Sequence, residues 1–103
     1  MRTYRGLIIG AERRVQYRRE DEERWRGLLP RLNIRNHSGS LSWGHSGAGA
    51  AQLALALLVM EIGSARAQVL YQHFKATVIA QLDRDKGWVM RSADVLDWIA
   101  TQS

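Results

Sequence analysis

The sequence predicts an α+β domain. A small antiparallel sheet of N-terminal strands plus a hairpin packs against two or three helices, the first of them buried. Two observations carry this. Short segments rich in β-branched and aromatic residues cluster before residue 44, and helix-period segments fill most of the rest. In addition, residues 50–62 are apolar nearly all round, with only Gln52 and Glu61 polar, which marks a helix enclosed on every side. At 103 residues the chain is one domain, 1–103, with a core of modest size.

The elements follow in order. Residues 3–9 read as a strand ending at Gly10, and residues 13–18, where Val15 and Tyr17 alternate with polar neighbours, as a second. In residues 20–26 the pairs Glu20/Arg24 and Glu22/Arg26 stand at i,i+4 spacing, so a turn of helix and a loop are both open. Residues 32–43 alternate with period two around Ser38-Gly39 and predict a β-hairpin. A glycine-rich break at 44–49 precedes the apolar helix. Gly63 ends that helix and Ser64 is placed to cap a second, 65–82, with Leu70, Phe74, Val78 and Leu82 on its inner face. After a polar turn, Trp88-Val89-Met90 reads as extended. Ser92 then caps a last helix, 93–101, with Asp94 in its first turn.

Charge is unevenly placed. Residues 1–35 hold ten arginines, no lysine and five acids, whereas charges cancel in 36–103, so the whole net charge of +5 sits in the first third. Planar guanidinium groups suit bidentate contact with phosphate or carboxylate. The same residues also fit an ordinary solvated surface with Arg coded in place of Lys. The chain has no cysteine, which excludes disulfides, thiolate metal sites and cysteine catalysis. Its longest apolar run, 53–60, is far shorter than the roughly 18 residues of a membrane span. The start Met1-Arg2-Thr3-Tyr4-Arg5 has no signal-peptide character, so a soluble, cytoplasmic protein is expected.

Three constellations invite a chemical reading. Gly44-x-x-Gly47-x-Gly49 opens into the apolar helix, where glycine amides and a helix N-terminus suit an anion. There is no Gly-Lys-Ser/Thr ending, and a tight turn needing glycine at 47 or 49 for positive φ is the better account of the motif. His37, His45 and His73 fit no metal-ligand spacing. His73 is expected to pack partly buried beside Phe74, and His37 to bond within the hairpin. Ser42 and Ser46 lie near His45, but no acid is close in sequence to complete a triad. Of the four tryptophans, Trp43, Trp88 and Trp98 are expected in the core and Trp25 at the surface.

Trp43-Gly44-His45-Ser46-Gly47-Ala48-Gly49-Ala50-Ala51-Gln52-Leu53-Ala54-Leu55-Ala56 resembles a small bacterial family of unknown function. Tyr4-Arg5-Gly6, Arg35-Asn36-His37-Ser38 and Tyr71-Gln72-His73-Phe74-Lys75 match further motifs of that family in the same order. His45 stands where an aromatic is usual and Ala50 where a proline is usual. The resemblance implies a domain carried by phages, plasmids and other mobile elements, and implies no known activity.

The expected function is therefore non-enzymatic: an accessory protein without cofactor or metal. It would dock on a host or phage protein or ribonucleoprotein complex, including a defence system such as a CRISPR-type nuclease complex. The alternative is a nucleic-acid-binding module. Partner-binding candidates are Arg13, Arg14, Arg18, Arg19, Arg24, Trp25, Arg26 and Arg35. Strand parity puts Arg14 and Arg18 on one face and Arg13 and Arg19 on the other. A small enzyme using His37 or His45 with the glycine loop is a distant third.

Overall fold

A computed structural model describes residues 1–102, and Ser103 lies outside them. The architecture is the expected α+β arrangement. Strands β1 (Arg2–Ile9), β2 (Glu12–Arg19), β3 (Arg26–Gly27) and β4 (Trp88–Arg91) form one antiparallel sheet in the order β3-β2-β1-β4. Helices α1 (Ala48–Thr77) and α2 (Ser92–Ala100) complete the fold, with a single 3-10 turn, Ile79–Gln81, between α1 and β4.

Period-two alternation sorts the sheet into two faces. Tyr4, Gly6, Val15 and Met90 are buried on the inner face, in register across β1, β2 and β4. Against them lies the first arm of α1, in which Leu53, Leu55, Leu57 and Leu58 are wholly enclosed. Alanines at 50, 51, 54 and 56 are buried too and let neighbouring segments approach closely. By length and composition Ala48–Gln81 would suffice to cross a membrane. Its leucines are instead the core of this one chain, and its helical path breaks at Gly63, where φ is 78°. That break is the expected end of the first helical arm, in the left-handed conformation glycine adopts without strain. The second arm stops at Thr77 instead of reaching residue 82; the chain tightens into the 3-10 turn that buries Ile79.

The hairpin expected over 32–43 does not form. That segment is an irregular loop over α1, and the remaining sheet strands come from β3 and, far along the chain, β4. The reason is Gln52, wholly buried on α1. Its Oε1 accepts from the amides of His37 (2.8 Å) and Ser38 (3.3 Å). Its Nε2 donates to the carbonyls of Arg35 (2.9 Å) and Pro30. One side-chain amide thus satisfies, with all four of its bonding positions, backbone groups of residues 30–38, among them the Arg35 carbonyl and His37 amide of the expected first hairpin strand. Ile34 and Leu41 still turn toward the core, whereas Leu32 and Asn36, expected on the face of Ile34, are exposed because no strand holds the alternation.

Residues 20–26 form a turn leading into β3; the Glu22–Arg26 ion pair closes at 3.3 Å without a helix around it. At α2 the cap is Arg91, whose amide donates to the Asp94 carboxylate at 2.8 Å. Ser92, the expected cap, is spent elsewhere. Its hydroxyl accepts the Arg2 amide (2.8 Å) and donates to Glu61 (2.9 Å).

A basic open face on the sheet

Several of the motif residues serve the interior. Within Tyr4-Arg5-Gly6, Tyr4 reaches Glu61, Arg5 turns to the opposite face, and the Trp88 indole lies over Gly6. Trp43 is fully buried and donates from Nε1 to the carbonyls of Lys86 (2.9 Å) and Asp83 (3.1 Å), while Trp88 meets it edge-on at 5.8 Å. Phe74 packs edge-on against Trp98 at 4.8 Å. His37 Nε2 meets the Tyr71 hydroxyl at 2.8 Å, a contact between the loop and α1.

The glycine loop is a turn held by its own side chains. His45 Nδ1 accepts the Gly47 amide at 2.9 Å, and His45 Nε2 lies 2.7 Å from Ser42 Oγ. With Nδ1 accepting, a neutral ring carries its proton on Nε2 and donates it to the serine. That tautomer is opposite to the one in which a histidine removes a serine proton. The pair is thus a latch across the turn, and it occupies an amide that an anion at the helix start would need. The glycine requirement also differs from expectation, because Gly47 has an ordinary φ of −82°. Positive φ falls on Gly44, at 78°, where a Cβ would stand 2.6 Å from the Arg84 amide nitrogen. At Gly49 the need is close approach, since a Cβ would collide with Ser42 Oγ.

Among the described residues Glu61 is the one acid drawn into the interior, its side chain 4% exposed. Its Oε2 takes hydrogen bonds from the Tyr4 hydroxyl, the Ser92 hydroxyl (2.9 Å) and Arg2 Nη1 (3.4 Å), joining β1, α1 and α2. Burial, reinforced by the neighbouring carboxylate, raises the Tyr4 hydroxyl far above the usual tyrosine range, so Tyr4 stays a donor. His73, expected to be partly buried, is exposed and lies 5.6 Å from Trp98. Among the described residues no group of three or more His, Cys, Asp or Glu side chains is placed to hold a metal.

The outer face of the sheet has no helix over it. Register places Thr3, Arg5, Leu7 and Ile9 of β1 on this face, with Glu12, Arg14, Gln16 and Arg18 of β2 and Val89 and Arg91 of β4. Arg91 and Arg18 flank Thr3 in one cross-strand row, and Val89 and Gln16 flank Arg5 in the next. Arg5 Nε donates to Gln16 Oε1 at 2.9 Å, and its guanidinium lies 3.8 Å from the centre of the Trp25 ring. Arg18 reaches the same ring at 5.0 Å. Trp25 is consequently half-buried under two cations instead of standing exposed. Such cation–π contacts contribute about 0.5–1 kcal/mol at a wet surface and hold the arginines in place.

The candidate arginines therefore divide. Arg14 and Arg18 share the open face, as parity predicted. Arg13 faces inward at 4.9 Å over Trp43, with Nη1 buried and unpartnered. Beside it, the free edge of β2 beyond β3 lines a groove of about 590 Å³ with Leu28, Pro30 and Leu41. Arg19 is exposed at the end of β2, 3.9 Å from Asp21, and Arg26 on β3 is held by Glu22. Arg24 is exposed in the turn before β3, and Arg35 is exposed on the loop over α1, so neither joins the sheet. Arg5 and Arg91 were the members of this face that sequence reasoning passed over. Parity along β1 marks Arg5 as sharing a face with Leu7 and Ile9, whereas Arg91 arrives only through the β1–β4 pairing.

These features define a class: a small α+β domain with one face of its sheet on the helices and the other open, basic and partly apolar. Residues 4–101 match a family of unknown function, DUF6166, and the chain belongs to it. No curated protein and no solved structure matches the chain.

Proposed function

We propose that this domain is a non-enzymatic docking protein whose contact surface is the outer face of the sheet and whose partner presents negative charge there. The carrying observation is the arrangement of Arg5, Arg18 and Trp25, extended by Arg14 and Arg91. Four arginines share that face with one acid, Glu12, which Arg14 engages at 3.2 Å. The polar groups that sequence reading offered to catalysis, Ser42, His45 and His37, are engaged in holding turns and loops. An acidic or ribonucleoprotein complex of a host or phage, a CRISPR-type nuclease complex among them, is a partner of the right charge.

Heparin affinity chromatography tests this reading. Wild-type protein is expected to be retained and to elute at higher salt than the Arg14→Glu/Arg18→Glu variant, with unchanged far-UV circular dichroism. Equal elution of the two would refute the assignment of the face.

A further inference from the structure

We infer that the occupant of the open sheet face is a single-stranded nucleic acid, an inference that rests on the docking role proposed above. Charge alone would admit any polyanion; the composition of the face is more selective. Ile9 is 49% and Val89 69% exposed there, and Leu7 is half-buried beside them. Val89 stands across from Arg5 and beside Arg91, and Leu7 stands across from Arg14 and beside Arg5, so these apolar side chains border the cations of the face, with Ile9 beyond Leu7 at its end. Phosphate oxygens gain nothing from isoleucine or valine. Unstacked bases do, and they also stack on guanidinium planes and on tryptophan. Arg5 on Trp25 is already such a stack, with the guanidinium held over the ring at 3.8 Å.

The cations of the face are widely spaced. Residues two apart on a strand are about 6.8 Å apart, and neighbouring strands about 4.8 Å. Arg14 and Arg18 are thus about 13 Å apart along β2, and Arg18 and Arg91 about 10 Å apart across β1. Intervals of this length are several times the roughly 3.4 Å rise per stacked nucleotide, so the cations would meet separated phosphates and not successive ones. A duplex fits poorly. A four-stranded face about 14 Å wide is broader than the roughly 12 Å major groove, which admits a helix or a two-stranded ribbon. The β1–β2 tip is such a ribbon, but its end carries Ile9, Ala11 and Glu12, and its nearest outward cation, Arg14, is engaged by Glu12 at 3.2 Å. The acids of residues 20–23 lie in the turn after β2. Two of them are engaged by neighbouring arginines, Asp21 3.9 Å from Arg19 and Glu22 3.3 Å from Arg26.

The test is fluorescence polarisation with labelled oligo-dT, oligo-U and a duplex of equal length. Both single strands are expected to bind more tightly than the duplex. With three phosphates contacted, affinity should fall on the order of 20-fold between 50 and 200 mM salt. Trp25→Ala should weaken single-strand binding on the order of 10-fold. Arg18→Glu/Arg91→Glu, two substitutions outside the core, should remove most of it. Arg66→Glu, an exposed change on α1, should bind as wild type. A duplex bound as tightly as the single strands would overturn the single-strand inference and leave the docking role standing. So would heparin retention without oligonucleotide binding, which would make the partner an acidic protein. Loss of both would overturn both.

Discussion

Replacing Gln52 probes the device that holds the 30–38 segment as a loop against α1. Gln52 makes four hydrogen bonds to backbone groups, all inside a fully buried side-chain site. At about 1 kcal/mol net per bond, Gln52→Leu forgoes about 4 kcal/mol. Burying a leucine in the same volume returns about 1.5–2 kcal/mol. The expected net loss is about 2 kcal/mol, or roughly an 8–15 °C fall in melting temperature for a domain of this size. Gln52→Glu should be worse, because a buried carboxylate would face the carbonyls of Arg35 and Pro30 with nothing to donate to them. Thermal and urea unfolding measure the stability. Amide hydrogen exchange reads the mechanism, since the amides of His37 and Ser38 should lose protection while those of α1 keep theirs. A Gln52→Leu protein that melts as wild type, with His37 still protected, would refute the account.

The Tyr4–Glu61 contact predicts alkaline behaviour. The hydroxyl titrates higher in the folded chain than in the unfolded one, so its contribution is whole below about pH 10 and declines above it. Wild type should lose up to about 1.4 kcal/mol per pH unit there relative to Tyr4→Phe, and parallel stability curves for the two would exclude this coupling. Gly49→Ala should cost about 1 kcal/mol or more through the clash with Ser42, and Ser42→Gly in the same chain should recover part of it. Additive losses in a double-mutant cycle of unfolding energies would show that the two residues do not press on one another. At the core, Leu57→Asp should abolish cooperative unfolding, because an unpaired charge would enter a wholly enclosed site; a native-like melt would place that face of α1 outside the core.

Local chemistry determined much of this protein. Alternation in the first nineteen residues specified two strands and sorted Arg14 and Arg18 from Arg13 and Arg19, because side-chain direction in a strand depends only on parity. The nearly unbroken apolar run at 50–62 specified a buried helix, and Gly63 its end, because few residues other than glycine adopt φ near 78° without strain. Tertiary structure decided the rest, wherever one partner is distant in sequence. Residues 32–43 had the period of a hairpin, but competition between ladder pairing and a buried amide on α1 was settled by Gln52, whose burial the apolar run announces but whose partners in the 30–38 segment it does not. Trp25 looked exposed amid charges until pairing of β1 with β2 brought Arg5 and Arg18 together over its ring. The open face has the same origin. Arg91 joins Arg18 across β1 only because β4, some seventy residues after β2, pairs with β1, and the helices cover just one side of the resulting sheet. Parity fixes which residues share a face, but which face meets solvent depends on where the apolar helix packs, and that is a property of the whole chain.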